Sequence, residues 1–259
     1  MSIDKLLIIG GGLIGSSIAR AAKVFGQADK VYISDKSYAV CRSIERMGFA
    51  DGVSENSSEL YASEADLIIL CVPPGTMAAV AERIVPVMKK GSILTDVASI
   101  KGDIIDKIVP LMNSNIHFVP GHPIAGTEYS GPEAGFAGLF KDRWCVLTPD
   151  GADESAVDIV KLFWEGIGSQ VAVMDSIRHD IVLAATSHVP HLIAYALVGT
   201  AVDMEKVTNN EVVKFSAGGF RDFTRIASSD PVMWRDIFLA NKDATLEVVD
   251  RFIEDLSAL

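Results

Sequence analysis

The stretch that most limits how this chain can fold is Leu6-Leu7-Ile8-Ile9 followed by Gly10-Gly11-Gly12-Leu13-Ile14-Gly15. A short apolar run leads into glycines. A helical pattern then runs through Ser17, Ile18, Ala21, Ala22 and Phe25 to Gly26, so the spacing predicts a strand, a glycine turn and a helix. Gly10, Gly12 and Gly15 fit G-x-G-x-x-G, in which the first glycine permits the tight turn, the second lets a pyrophosphate approach the backbone and the third lets helix pack on strand. A second strand, Val31 to Ser34, ends at Asp35, where a carboxylate can accept hydrogen bonds from ribose hydroxyls and repel a 2′-phosphate. The combination predicts a dinucleotide site that favours NAD over NADP, although Lys36 stands beside the acid.

The alternation continues with a helix around Ala39 to Met47, an apolar strand Leu67 to Val72, a helix from about Thr76 to Met88 and a strand Ser92 to Val97. Strands buried on both faces of a parallel sheet read this way. Pro73-Pro74 and Ala98-Ser99 follow strand C-termini, the edge at which open α/β sheets hold ligands. Ser99 and Lys101 are candidates to face the nicotinamide; Ser99 serves equally as an N-cap for a helix Ile100 to Met112. Gly121-His122-Pro123-Ile124-Ala125-Gly126-Thr127-Glu128 then places one imidazole in a turn after the apolar run Ile116 to Val119, either as a base or as a structural group. Trp144 to Leu147, a helix near Ser155 to Trp164, and Gln170 to Met174 read as the last strands and crossover of the same sheet.

Past Ser176 the strand signals stop, which divides the chain into a dinucleotide-binding domain, 1–175, and a helical domain, 176–259. Ile181 to Asp203 reads as a helix apolar nearly all round. Such a helix must be enclosed, and a second subunit is the source of cover, so a homodimer is expected. His188 and His191 share one helical face, with Pro190 kinking the helix between them; no third cluster of ligands accompanies the pair, and no metal is expected. Gly218-Gly219-Phe220-Arg221-Asp222-Phe223-Thr224-Arg225 offers two guanidinium groups, with Asp222 placed to pair with Arg225; they form either a carboxylate clamp or solvated ion pairs. Ser229-Asp230-Pro231 caps a further helix carrying Trp234 and Phe238.

A formal net charge of −11 with no basic tract argues against nucleic acid or an anionic membrane and for a small-molecule partner. Cys41, Cys71 and Cys145 stand in no paired spacing and read as small core residues of a protein from a reducing compartment. No basic and apolar leader is visible at the N-terminus, so a cytoplasmic location is expected. Ile181 to Val202 is apolar enough to resemble a membrane span, but His188, Pro190 and His191 within it favour a buried helix.

The octapeptide at His122, the segment Ser187-His188-Val189-Pro190-His191, and the run from Gly218-Gly219-Phe220-Arg221-Asp222 through Thr224-Arg225-Ile226-Ala227-Ser228-Ser229-Asp230-Pro231 to Trp234 closely resemble the prephenate/arogenate (cyclohexadienyl) dehydrogenases of tyrosine biosynthesis. The resemblance covers essentially the whole chain. It implies a Rossmann-type domain that binds NAD, followed by an all-helical dimerisation domain, and the oxidative decarboxylation of prephenate or arogenate. By that resemblance His122 is the catalytic histidine at the ring hydroxyl, and Ser99 orients both. Arg225 binds a substrate carboxylate, Asp222 positions that arginine, His191 reaches the substrate side chain, Glu128 belongs to a gate and Trp234 lies near the pocket and dimer contact. Gly10, Gly12, Leu13, Ile14, Gly15, Asp35, Val72, Pro73 and Ser99 are the expected cofactor contacts. Members of this type usually continue past Leu259 into further dimer-packing helices.

The chemistry suits these residues. Removing the C4 hydride while a base takes the hydroxyl proton lets the ring lose carbon dioxide and become aromatic, which makes the step irreversible. Two other readings compete. A hydroxyacid or pyrroline-carboxylate reductase shares the two-domain plan but is expected to show a Lys or Tyr acid where this chain has His188 and His191. A non-catalytic NAD-sensing module would not need His122, Ser99 and Arg225 together.

Overall fold

The computed structural model describes residues 3–127, 129–205, 211–212 and 214–259. By its contacts the chain divides into Met1–His179 and Asp180–Leu259.

The first unit is built on a six-stranded sheet. Strand β1 (Ile3–Ile9) is followed by α1 (Leu13–Val24), β2 (Ala28–Asp35), α2 (Tyr38–Met47), β3 (Gly52–Glu55), α3 (Ser58–Ala62), β4 (Leu67–Leu70), α4 (Pro74–Ile84), β5 (Ile93–Asp96), α5 (Gly102–Ile108) and β6 (His117–Val119). The strand order is β3-β2-β1-β4-β5-β6, parallel throughout. Leu6, Leu7, Ile8 and all four residues of β4 are fully buried, so both sheet faces are covered; burial of each such side chain contributes about 1.5–3 kcal/mol. The order reverses between β1 and β4. That is the switch point at which open α/β sheets receive their ligands, beyond the strand C-termini.

The sheet ends at β6. Pro120 has no N–H for the ladder, and its carbonyl accepts from Thr148 N–H at 3.0 Å, so the chain leaves the parallel sheet there. It continues as β7 (Gly121–Pro123), β8 (Trp144–Leu147), α6 (Glu154–Gly166) and β9 (Gln170–Val173), which make a separate three-stranded sheet. Strand β7 runs antiparallel to β8, and β8 parallel to β9. The expectation that these strands extend the first sheet is therefore corrected. Helix α6 crosses from β8 to β9, capped by Asp153, whose carboxylate accepts from the N–H groups of Ser155 and Ala156. Its Trp164 is fully buried, edge-on to Phe140 at 5.3 Å between centroids.

Helix α7 (Ser176–Leu183) leads into the second unit through a π-helical turn at Ala184–His188, then α8 (Val189–Glu205), α9 (Gly218–Thr224), α10 (Pro231–Ala240) and α11 (Lys242–Ala258). The disturbance that Pro190 was expected to cause lies N-terminal to it. Pro190 cannot donate to the carbonyl four residues back, and the ladder slips so that Val189 N–H bonds Ala184 O. Ser176–Glu205 is long and apolar, with a mean hydropathy of 1.6, yet only 28% of its most apolar stretch is buried. In the single chain Leu197, Val202 and Met204 are open, on the helix for which the sequence predicts cover from a second subunit.

Candidate active site

The glycine loop between β1 and α1 has the geometry its sequence demands. Gly10 sits at φ +105°, and a Cβ there would come 2.5 Å from the Cys71 carbonyl oxygen and 3.1 Å from Val72 N. The loop therefore lies directly against the turn after β4, which carries Val72 and the exposed Pro73. A Cβ on Gly15 would collide with the Gly10 carbonyl, so α1 approaches β1 closely only because that position is glycine. At Gly12 nothing stands within 4 Å of an added Cβ. Open space over a helix N-terminus, where the amides of Gly12, Leu13 and Ile14 begin α1, is a fitting cradle for a pyrophosphate. Asp35 ends β2 and accepts from Gly11 N–H and Ser37 N–H, each at 2.8 Å, which fixes its carboxylate beside the loop.

A buried ion pair holds the end of β5. Asp96 and Lys101 are both fully buried, with Nζ 2.5 Å from Oδ2; the same oxygen accepts from Ala98 N–H at 2.9 Å, and Oδ1 from Gly121 N–H at 3.3 Å. Lys101 also donates to the Gly121 carbonyl at 2.6 Å. Both sides of Gly121 are thus tied to the Asp96–Lys101 pair, and a Cβ there would meet the Asp96 carbonyl at 3.1 Å. Lys101 is corrected by this arrangement from a nicotinamide contact to a structural cation, because the buried Asp96 carboxylate requires a partner. Ser99 lies half-buried in the same turn. It does not cap the next helix, whose N-cap position is Lys101.

His122 follows Gly121 directly. It lies within β7 and not in a turn, opposite Val146 of β8, and is 6% exposed. Its Nδ1 is 2.9 Å from Nε2 of His179, a fully buried residue of α7, with the rings edge to face at 67°. Sequence reasoning missed His179, since nothing in the spacing of a helical histidine so far along the chain marks it as a neighbour of His122. Under β7, burial pushes the Cys145 thiol well above its usual range, so it stays a protonated core group. Glu128 lies outside the described residues.

In the second unit His191 stacks on Trp234, with centroids 3.6 Å apart and planes at 20°. Its Nδ1 is 2.9 Å from the Ser187 carbonyl, which can only accept, so Nδ1 carries the proton and Nε2 is an acceptor. Burial holds its pKa below the ordinary imidazole value, opposed by that same hydrogen bond. Trp234 is 6% exposed and also touches Phe238 and His188. Asp222 and Arg225 do not form the expected pair: both are exposed, and no ion pair links them. Helix α9 ends at Thr224, and a 3-10 turn follows over Arg225–Ser228.

Two family models together match most of the chain. Residues 18–173 match the family described as prephenate dehydrogenase, nucleotide-binding domain, and 175–259 match prephenate dehydrogenase, dimerization domain. The chain is 43% identical to the cyclohexadienyl dehydrogenase of Zymomonas mobilis, over 100% of its own length and 88% of that protein's. It is 34% identical to prephenate dehydrogenase of Aquifex aeolicus, whose crystal structure in complex with hydroxyphenyl propionate and NAD+ superposes with a TM-score of 0.94, covering 100% of this chain and 90% of the other. Arogenate dehydrogenase of Synechocystis is 25% identical, with a TM-score of 0.83, 98% of this chain and 90% of the other being covered.

Proposed function

The chain belongs to the prephenate dehydrogenase family, and from that premise we propose that it oxidatively decarboxylates prephenate, arogenate or both, reducing NAD, in tyrosine biosynthesis. The observation that carries this reading is the placement of a buried imidazole, His122, next to the residue clamped to the C-terminal end of β5, on the sheet that also bears the glycine loop.

Gly10, Gly12, Leu13, Ile14 and Gly15 would cradle the pyrophosphate, Asp35 would take the adenosine ribose, and Val72, Pro73 and Ser99 would line the rest of the cofactor. Bound NAD supplies the acceptor for the C4 hydride. His122 Nε2 takes the proton of the C4 hydroxyl as the hydride leaves, so that C4 becomes a carbonyl. The bond from C1 to its carboxylate then breaks, carbon dioxide departs, and the electron pair aromatises the ring as a phenolate. His122 returns its proton to that oxygen, and the balance is substrate plus NAD to a 4-hydroxyphenyl product, carbon dioxide and NADH. Ser99 would orient the hydroxyl, Arg225 would bind a carboxylate, and His191 on Trp234 would meet the side chain, with Glu128 at a gate. A homodimer joined through the helical unit is part of the same proposal, supported by the apolar side chains that unit leaves exposed.

Initial rates of NADH formation with prephenate and with arogenate test the reading; no reduction of NAD with either would reject it. His122→Asn should lower kcat about 10²–10⁴-fold with KM nearly unchanged, and a variant with wild-type kcat would remove His122 as the base.

A further inference from the structure

We propose that His179 is a positioning residue for the base: its Nε2 accepts the Nδ1 proton of His122 and thereby holds the reactive Nε2 of His122 unprotonated. The inference rests on the reading of His122 as the proton acceptor.

Two ring nitrogens 2.9 Å apart share one proton, because two bare lone pairs repel and two N–H groups collide. Either His122 donates through Nδ1 and keeps Nε2 as a base, or His179 donates through Nε2 and leaves His122 with its only proton on Nε2, where it can accept nothing. A proton-abstracting His122 requires the first arrangement. The rings meet edge to face, at 67° and 5.1 Å between centroids, so the contact runs in the plane of at least one ring, as a hydrogen bond does. Both residues are buried, His122 at 6% exposure and His179 at 0%, so bulk water does not replace the bond if it is lost.

Each ring is carried by a fixed piece of backbone. His122 stands in β7, paired with β8 and preceded by the doubly anchored Gly121. His179 lies in the first turn of α7; its N–H bonds the Asp175 carbonyl at 3.0 Å, and the Asp175 carboxylate accepts from Arg178 N–H at 2.8 Å. The two come from positions 57 residues apart, so their meeting is set by the fold and not by local sequence. When His122 takes the substrate proton, its Nδ1–H becomes part of a cation, and the bond to His179 becomes charge-assisted. That gain is greater in the transition state than in the resting enzyme, so it acts on kcat and not on substrate binding.

The test uses His179→Leu, which removes the acceptor, and His179→Gln, whose amide oxygen reaches the place of Nε2. In the leucine variant kcat should fall about 10–100-fold or more, the lower size being that seen when a partner orienting a metal-ligating histidine is lost. KM for the substrate and NAD affinity should hold within about twofold, and glutamine should recover most of kcat. Nitrogen NMR of histidine-labelled wild-type enzyme, with His122 assigned by its loss in His122→Asn, should show the His122 proton on Nδ1. A proton on Nε2, a leucine variant with wild-type kcat, or equal losses in leucine and glutamine would each overturn the proposal. Failure of the base reading is separately visible as His122→Asn retaining kcat, since the NMR measurement needs no turnover; a leucine variant that has lost NAD affinity has misfolded, and the tautomer and the glutamine variant then decide.

Discussion

A buried ammonium against a buried carboxylate stabilises a fold only while both are present. Removing Lys101 would leave Asp96 charged, fully buried and short of its closest partner, and such a change costs about 3–5 kcal/mol. Lys101→Met should therefore lower the urea midpoint by that equivalent and loosen Gly121, with a fall in kcat; a variant as stable as wild type would mean that the pair is not the clamp described. Asp35 admits a gentler substitution. Because its two oxygens also hold the Gly11 and Ser37 amides, Asp35→Asn keeps one acceptor for the loop while removing the charge that opposes a 2′-phosphate. The ratio of kcat/KM for NAD over NADP should fall, and an unchanged ratio would assign cofactor choice elsewhere. His122 was expected in a turn and stands in β7, while the setting of Asp35 beside the glycine loop was legible in the sequence because Asp35 ends the strand that follows that loop. Lys101 and His179 were not, since the roles of both depend on contacts across the fold, with β7 and its His122.

Elements were legible where their hydrophobic period and their caps agreed. Helix α10 begins where Ser229-Asp230-Pro231 predicts, with Asp230 accepting from Val232 N–H at 2.8 Å and Met233 N–H at 2.9 Å. Asp230→Ala should cost about 0.5–2 kcal/mol. Since α10 carries Trp234, on which His191 stacks, KM for the substrate should rise more than the NAD constants; equal shifts in both would point to general unfolding. The second sheet escaped the sequence reading for a reason of scale. Trp144 to Leu147 and Gln170 to Val173 have strand-like composition, and composition does not say which sheet a strand joins. Pro120 was the available signal, a residue without an N–H at the end of β6 that releases the chain into a new ladder. The π turn before Pro190 was half legible: proline announces a break in the ladder, but the slip is accommodated several residues upstream.

At the scale of the whole molecule, the doubly wound sheet followed by helices was readable from the change of period at Ser176, because parallel strands and helices leave different signatures. The association of chains is the remaining question at this scale. Leu197, Val202 and Met204 on α8 and Phe252, Ile253 and Leu256 on α11 are all exposed, large apolar side chains on two helices of the unit expected to join two copies. A stable homodimer needs roughly 1,600 Å² buried in total, and two such helices from each copy are long enough to supply it. Charge placed among these residues should separate the copies without touching the glycine loop, which belongs to the other unit. Wild-type protein should therefore sediment as a dimer at micromolar concentration with a melting temperature that rises on concentration, while Ile253→Asp should sediment as a monomer of 27.7 kDa and keep its NAD affinity. A wild type that is monomeric throughout that range, or an Ile253→Asp variant that remains dimeric, would rule out α11 as part of the interface.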